Sequence, residues 1–160
     1  MLGPDYVYVL IELAVANLIA GTFLLLMNRE LHPTVHALGS SVLILKNMVY
    51  LLLSFWNPGL PSRNPSRYNK SYLNKVVILK QHLFCAQCRV VKVSSRETVH
   101  CDDCNFCVDE HDHHCPWTST CVGRGNIILF KLYLGFLMAL IVFMFLGWMI
   151  TEIDPRNVHH

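Results

Sequence analysis

The side chains best suited to chemistry are seven cysteines and the histidines among them, all confined to one stretch of the chain. They run Cys85-x2-Cys88, then His100-Cys101-x2-Cys104-x2-Cys107, then Asp112-His113-His114-Cys115, and finally Cys121. Two residues between thiolates let a tight turn present both sulfurs to one tetrahedral ion at about 2.3 Å. A single pair of this kind is weak evidence, because redox motifs share it. Overlapping pairs flanked by histidine point to zinc instead. From Cys101 to Cys115 there are few aliphatic residues, so metal rather than a hydrophobic core is expected to hold the segment. Two structural sites take eight ligands. Seven Cys with one His would supply them, and so would six Cys with two His. Only the second choice leaves a free thiol, and spacing does not decide between the two.

The elements around this segment must sit in a membrane. Hydrophobic residues make up 53% of the 160-residue chain and charged residues 15%, against about 45–50% and about 25% in soluble domains. Mean hydropathy is +0.38, which excludes a wholly water-exposed globule. A net charge of +2 is too small to suggest nucleic-acid binding by bulk charge, and no nucleic-acid partner is expected. Three stretches, 6–27, 35–56 and 127–150, meet the requirement of about 20 apolar helical residues. The first is read as a transmembrane helix rather than a signal peptide. Its start carries no Lys or Arg and includes Asp5, and its apolar run exceeds a signal core of about 7–15 residues. A short loop containing Pro33 makes the first two helices an antiparallel hairpin.

Most of the chain's 13 Lys and Arg fall between the second and third helices, with Arg63, Arg67, Lys70, Lys75 and Lys80 forming a basic stretch. The positive-inside rule puts that segment and the N-terminus in the cytosol, with the tail on the opposite side. The sequon Asn69-Lys70-Ser71 then faces the cytosol and stays unmodified. Within the membrane, Glu12 and Lys46 either pair or reach separately for the interface, and Lys131 reaches for it. No internal repeat appears. The expected divisions are a helical hairpin (1–56), a basic linker (57–84), a cysteine-rich zinc domain (85–126), a third helix (127–150) and a short non-cytosolic tail (151–160).

Three runs carry a family resemblance: His100-Cys101-Asp102-Asp103-Cys104-Asn105-Phe106-Cys107-Val108, Asp112-His113-His114-Cys115-Pro116-Trp117 and Cys121-Val122-Gly123-Arg124-Gly125-Asn126. With Phe130 they closely resemble the DHHC family of protein S-acyltransferases (palmitoyltransferases). The implied fold is an all-α integral membrane protein, with a cytosolic two-zinc domain of short β-hairpins and loops between helices two and three. The resemblance implies two structural zinc ions, one on Cys85, Cys88, His100 and Cys107, the other on Cys101, Cys104, His114 and Cys121. It makes Cys115 the nucleophile that carries the acyl group, His113 the general base, and Asp112 the carboxylate that orients His113. The co-substrate implied is a long-chain acyl-CoA such as palmitoyl-CoA, and the acceptors are cysteine-containing membrane-associated proteins. Residence is expected in an endomembrane (Golgi or ER) or the plasma membrane.

Several positions depart from the family pattern. Lys92-Val93 stands where Lys-Pro is usual, and the Cys88 to His100 spacing is two residues longer than usual. Thr120 replaces an Asn, and Asn57-Pro58-Gly59 replaces Asp-Pro-Gly. The sequence ends ten residues after the third helix, before the fourth transmembrane helix usual in the family, so it is expected to be a fragment, a truncated product, or a subunit whose acyl cavity a partner subunit or self-association completes. The competing reading is a catalytically incompetent or partner-dependent family member, acting as a zinc-binding regulatory module. His111 is expected at the surface, His82 as structural or solvated, and Trp117 at an interface.

Overall fold

The structure is a computed structural model and describes residues 3–27, 32–61, 84–92 and 97–153. The expected basic stretch from Arg63 to Lys80, the sequon, His82, Arg96 and the last residues of the tail lie outside these. The chain forms two compact units: Met1–Tyr8 with Ser54–Ile128, and Val9–Leu53 with Leu129–His160.

Among the described residues three α-helices form, α1 (Tyr6–Leu26), α2 (Pro33–Phe55) and α3 (Ile127–Ile153). Each contains a segment long and apolar enough to cross a membrane: Tyr6–Leu26, Pro33–Phe55 and Ile127–Ile150. Helix α2 begins at Pro33, ahead of the apolar run that starts at Val35, because proline has no N–H to leave unpaired and its φ suits a first helical turn. In the helical unit Val9, Tyr50, Leu53 and Tyr133 are buried together, with Leu13 and Leu137 packed against them. Leu18, Leu25 and Leu146 are exposed, the reverse of a water-soluble pattern. Gly39 admits the ring of Phe143 to a place that a Cβ would occupy, and Phe143 meets Phe23 edge-on at 6.3 Å.

Polar groups gather inside this unit. Lys46 Nζ lies 2.6 Å from Glu12 Oε1, and the Lys46 side chain is wholly buried. Tyr133 donates its hydroxyl to the same carboxylate oxygen at 3.3 Å. Lys46 also donates to Asn47 Oδ1 at 3.2 Å, and Asn47 donates to Asn17 Oδ1 at 2.6 Å. Pairing therefore prevails over separate exposure at the interface for Glu12 and Lys46. Removing one charge of a buried pair strands the other, at a typical cost of about 3–5 kcal/mol, whereas removing both is tolerated far better. Lys46→Met is accordingly expected to lower thermal stability in detergent sharply, and Glu12→Gln added to it to restore most of the loss. Equal melting of Lys46→Met and the parent would refute this.

The cysteine-rich unit is built from three antiparallel two-stranded hairpins: β1 (Phe84–Cys85) with β2 (Val90–Val91), β3 (Val99–Cys101) with β4 (Phe106–Val108), and β5 (His113–Cys115) with β6 (Thr120–Val122). Each has a four-residue connection, and its last residue adopts a left-handed conformation: Arg89 (φ 54°), Asn105 (φ 55°) and Ser119 (φ 52°). The strands are too short to be stable as isolated ribbons, so something other than sheet pairing must fix them.

Candidate functional site

The hairpins arrange the cysteines and histidines by register and alternation. His100 pairs with Cys107 across β3–β4, and His114 pairs with Cys121 across β5–β6. Adjacent strand residues point to opposite faces, so Cys101 turns away from the His100–Cys107 side. The Cys85–Cys88 turn of the first hairpin meets the His100–Cys107 pair of the second. The Cys101–Cys104 turn of the second meets the His114–Cys121 pair of the third. Two groups result, Cys85, Cys88, His100 and Cys107, and Cys101, Cys104, His114 and Cys121, each with its ligand atoms within 4.8 Å of one another.

Both groups fit a tetrahedral metal ion. His100 Nδ1 lies 3.5, 3.2 and 3.7 Å from the sulfurs of Cys85, Cys88 and Cys107. His114 Nδ1 lies 3.6, 3.2 and 3.7 Å from those of Cys101, Cys104 and Cys121. Zinc bonds of about 2.3 Å to sulfur and about 2.0 Å to nitrogen set a tetrahedral S···N edge of about 3.5 Å. Each group can therefore hold one ion. Burial pushes the Cys104 thiol up to about 11, against donation from Cys121. Burial and the neighbouring thiols push Cys107 and Cys121 higher still. Burial also opposes ionisation of Cys85, but donation from the Cys88 amide and from Cys107 brings it below the ordinary thiol value. Such crowded thiols become thiolates together only around a cation, so metal entry displaces their protons.

Cys115 belongs to neither group. It is the last residue of β5, buried, and pairs with Thr120 across the hairpin. Strand alternation sends His114 toward the metal group and turns His113 and Cys115 to the opposite face together. His113 Nδ1 lies 3.4 Å from Asp112 Oδ2, both side chains being half-exposed. That separation is longer than a tight hydrogen bond. His111, expected at the surface, is half-buried instead, with its Nε2 enclosed. Burial, with His113 and His114 beside it, pushes its imidazole below the ordinary value.

The turn after α2 is fastened to the hairpins. Asp109 N–H donates to Gly59 O at 2.8 Å, and Gly125 N–H donates to Pro58 O at 3.0 Å. Gly123 and Gly125 make this approach possible: a Cβ on Gly125 would overlap the Asn57 carbonyl, and one on Gly123 would overlap Val108. Asn57 Oδ1 accepts from the Gly59 and Leu60 amides at 2.9 and 3.0 Å. That role needs one side-chain oxygen, so Asn serves where the family pattern has Asp. Asn126, wholly buried, accepts from Gly123 N–H and donates to Cys121 O, both at 2.9 Å. Thr98 donates to Asp109 Oδ1 at 2.7 Å. Nothing in the spacing of Thr98 or Asp109 signals their bond, and Asn126 is marked in the sequence only as the last residue of the run Cys121–Asn126.

Residues 78–158, half of the chain, match the family described as DHHC palmitoyltransferase. Palmitoyltransferase ZDHHC17 of Rattus norvegicus is 37% identical over 111 residues, covering 64% of this chain and 17% of that protein. Palmitoyltransferase ZDHHC18-B of Danio rerio is 28% identical over 151 residues, covering 81% of this chain and 38% of the relative. Palmitoyltransferase ZDHHC14 of Danio rerio is 30% identical over 150 residues, covering 78% and 28%. The chain thus spans well under half the length of each of these relatives. With three helices apolar enough to cross a membrane and two Cys/His groups between the second and third, the chain belongs to the DHHC palmitoyltransferase family.

Proposed function

We propose that the chain is a protein S-acyltransferase that takes a long-chain acyl group from acyl-CoA onto Cys115 and passes it to a cysteine of a substrate protein. The observation carrying this reading is that six of the seven cysteines fall into the two groups, while Cys115 stands outside both. In this reading Cys85, Cys88, His100 and Cys107 hold one zinc ion, and Cys101, Cys104, His114 and Cys121 hold the other. Zinc supplies structure rather than chemistry here, because a thiolate bound to metal is less available to attack a thioester. The cysteine-rich unit and the N-terminus face the cytosol, where acyl-CoA and substrate thiols are found.

The chemistry follows from the residues outside the groups. An ordinary thiol is only a few per cent ionised at neutral pH, so an adjacent base raises the reactive fraction. His113 takes the Cys115 proton on Nε2, while Asp112 beside Nδ1 holds the tautomer and stabilises the imidazolium. The Cys115 thiolate attacks the thioester carbonyl carbon, the bond to the CoA sulfur breaks, and His113 returns its proton to that sulfur. In the second half His113 deprotonates the substrate thiol, which attacks the acyl-Cys115 carbonyl, and Cys115 leaves as the thiolate.

The test uses the purified chain in detergent, with its zinc content measured before palmitoyl-CoA is added. One hydroxylamine-sensitive acyl group is expected, mapped by mass spectrometry to the peptide containing Cys115. Two zinc ions per chain with no acyl uptake would overturn the enzymatic reading in favour of a zinc-stabilised binding protein. Fewer than two would overturn the ligand sets.

A further inference from the structure

The residues just ahead of α1 reach the second metal group. Asp5 Oδ2 lies 2.8 Å from His114 Nε2, although the two residues are 109 positions apart in sequence. The other ring nitrogen, Nδ1, faces the three sulfurs of that group. With Nδ1 committed to metal, Nε2 carries the proton and donates it to the Asp5 carboxylate. Among the described residues the first group shows no such hydrogen bond. His100 Nε2 is buried with no hydrogen bond among the described residues, and Asp102, almost fully exposed, stands 3.7 Å away.

Two more contacts fasten the same segment to the same hairpin. Gly3 lies so close to Ser119 that a Cβ would overlap the Ser119 carbonyl oxygen. Tyr8 meets Trp117 edge-on, with ring centroids 5.4 Å apart. Gly3, Asp5 and Tyr8 thus touch Ser119, His114 and Trp117, residues on either side of Cys115.

We propose that Asp5 is a positioning residue for the second metal group, fixing the tautomer and orientation of His114 and, through it, the strand that carries Cys115. This inference rests on the ligand sets proposed above. A carboxylate on the outer nitrogen of a metal-bound imidazole raises its basicity, and losing such a partner typically weakens metal binding by about 10–100-fold. Asp5 is partly solvent-exposed, so an effect of about 10-fold is expected.

The experiment challenges zinc-loaded full-length chain, in detergent, with a chromogenic chelator. Alkylation of freed thiols during release, mapped by mass spectrometry, identifies which group has lost its ion. Asp5→Ala should release zinc from Cys101, Cys104 and Cys121 about 10-fold faster than the parent, with release from Cys85, Cys88 and Cys107 unchanged. Asp5→Asn keeps an acceptor oxygen without the charge and should fall between the two. This milder variant keeps the inference testable should Asp5→Ala fold poorly. Nitrogen-15 spectra of labelled histidine should place the His114 proton on Nε2 in the parent. Release from the second group at the parental rate in Asp5→Asn and Asp5→Ala alike would overturn the proposal while leaving the ligand sets standing. A parent holding fewer than two zinc ions overturns both.

Discussion

Cys115→Ser is expected to take up no acyl group from palmitoyl-CoA while still holding two zinc ions. The substitution exchanges one sulfur for oxygen on a buried strand residue outside both metal groups, so the hairpin has no reason to open. The chemistry changes much more. A hydroxyl ionises far less readily than a thiol and is a poorer nucleophile toward a thioester at neutral pH. Transfer to substrate cysteine should therefore fall to background, a loss of several orders of magnitude by analogy with other nucleophile–base pairs. His113→Gln should slow uptake by about 10²–10⁴-fold, the usual range for a general base. Full acyl labelling of Cys115→Ser, on any other cysteine, would sink the nucleophile assignment. Zinc analysis of the same sample guards against a trivial loss through unfolding.

A larger structural effect is expected from Cys121→Ala. Cys121 is wholly inaccessible and sits opposite His114 on the partner strand. Among the described residues few buried aliphatic side chains support this unit: Val90 beside one group, Val108 beside the other, and Val122. Burying a valine is worth roughly 1.5–3 kcal/mol, whereas structural zinc in small folds contributes about 10–16 kcal/mol. Metal therefore outweighs apolar burial in holding the unit together, and a group reduced to three ligands should not retain its ion tightly. Zinc content should drop from two ions to one, and the amides of β5 and β6 should lose protection from hydrogen exchange. Because Cys115 lies on β5, acyl uptake should disappear as well. Retention of two zinc ions by Cys121→Ala would refute the assignment of this ligand. Acid should act in the same direction, since protons compete with metal for the thiolates.

How far the sequence can be read depends on the range of the interaction. The three apolar helices follow from composition alone, because the membrane requirement is local and additive along the chain. The metal groups were only half legible. Spacing showed that cysteines would be ligands, yet left seven Cys with one His and six Cys with two His equally open. The family resemblance implied the particular sets, and it is the hairpin register, His100 opposite Cys107 and His114 opposite Cys121, that brings such sets together. In the sequence Asp5 stands out only as a residue unsuited to the start of a signal peptide. Its partner lies 109 positions away, and a lone acidic residue before an apolar run carries no mark of such a contact. The Glu12–Lys46 pair was one of two readings of equal weight until helix packing decided it.

The sequence showed no internal repeat, but the three hairpins form one in space. Cys85, Cys101 and Cys115 each pair across a hairpin whose four-residue connection ends in a left-handed residue. The third residue of that connection is Cys88, Cys104 and then Thr118. In the first two units this position completes a chelating pair of sulfurs; in the third it supplies a hydroxyl that bonds to the Cys115 carbonyl instead. The Cys115 thiol is thus half of a metal clasp whose second jaw was never installed. A fold that sequesters cysteine by pairing it leaves one available by interrupting its own pattern by a single residue.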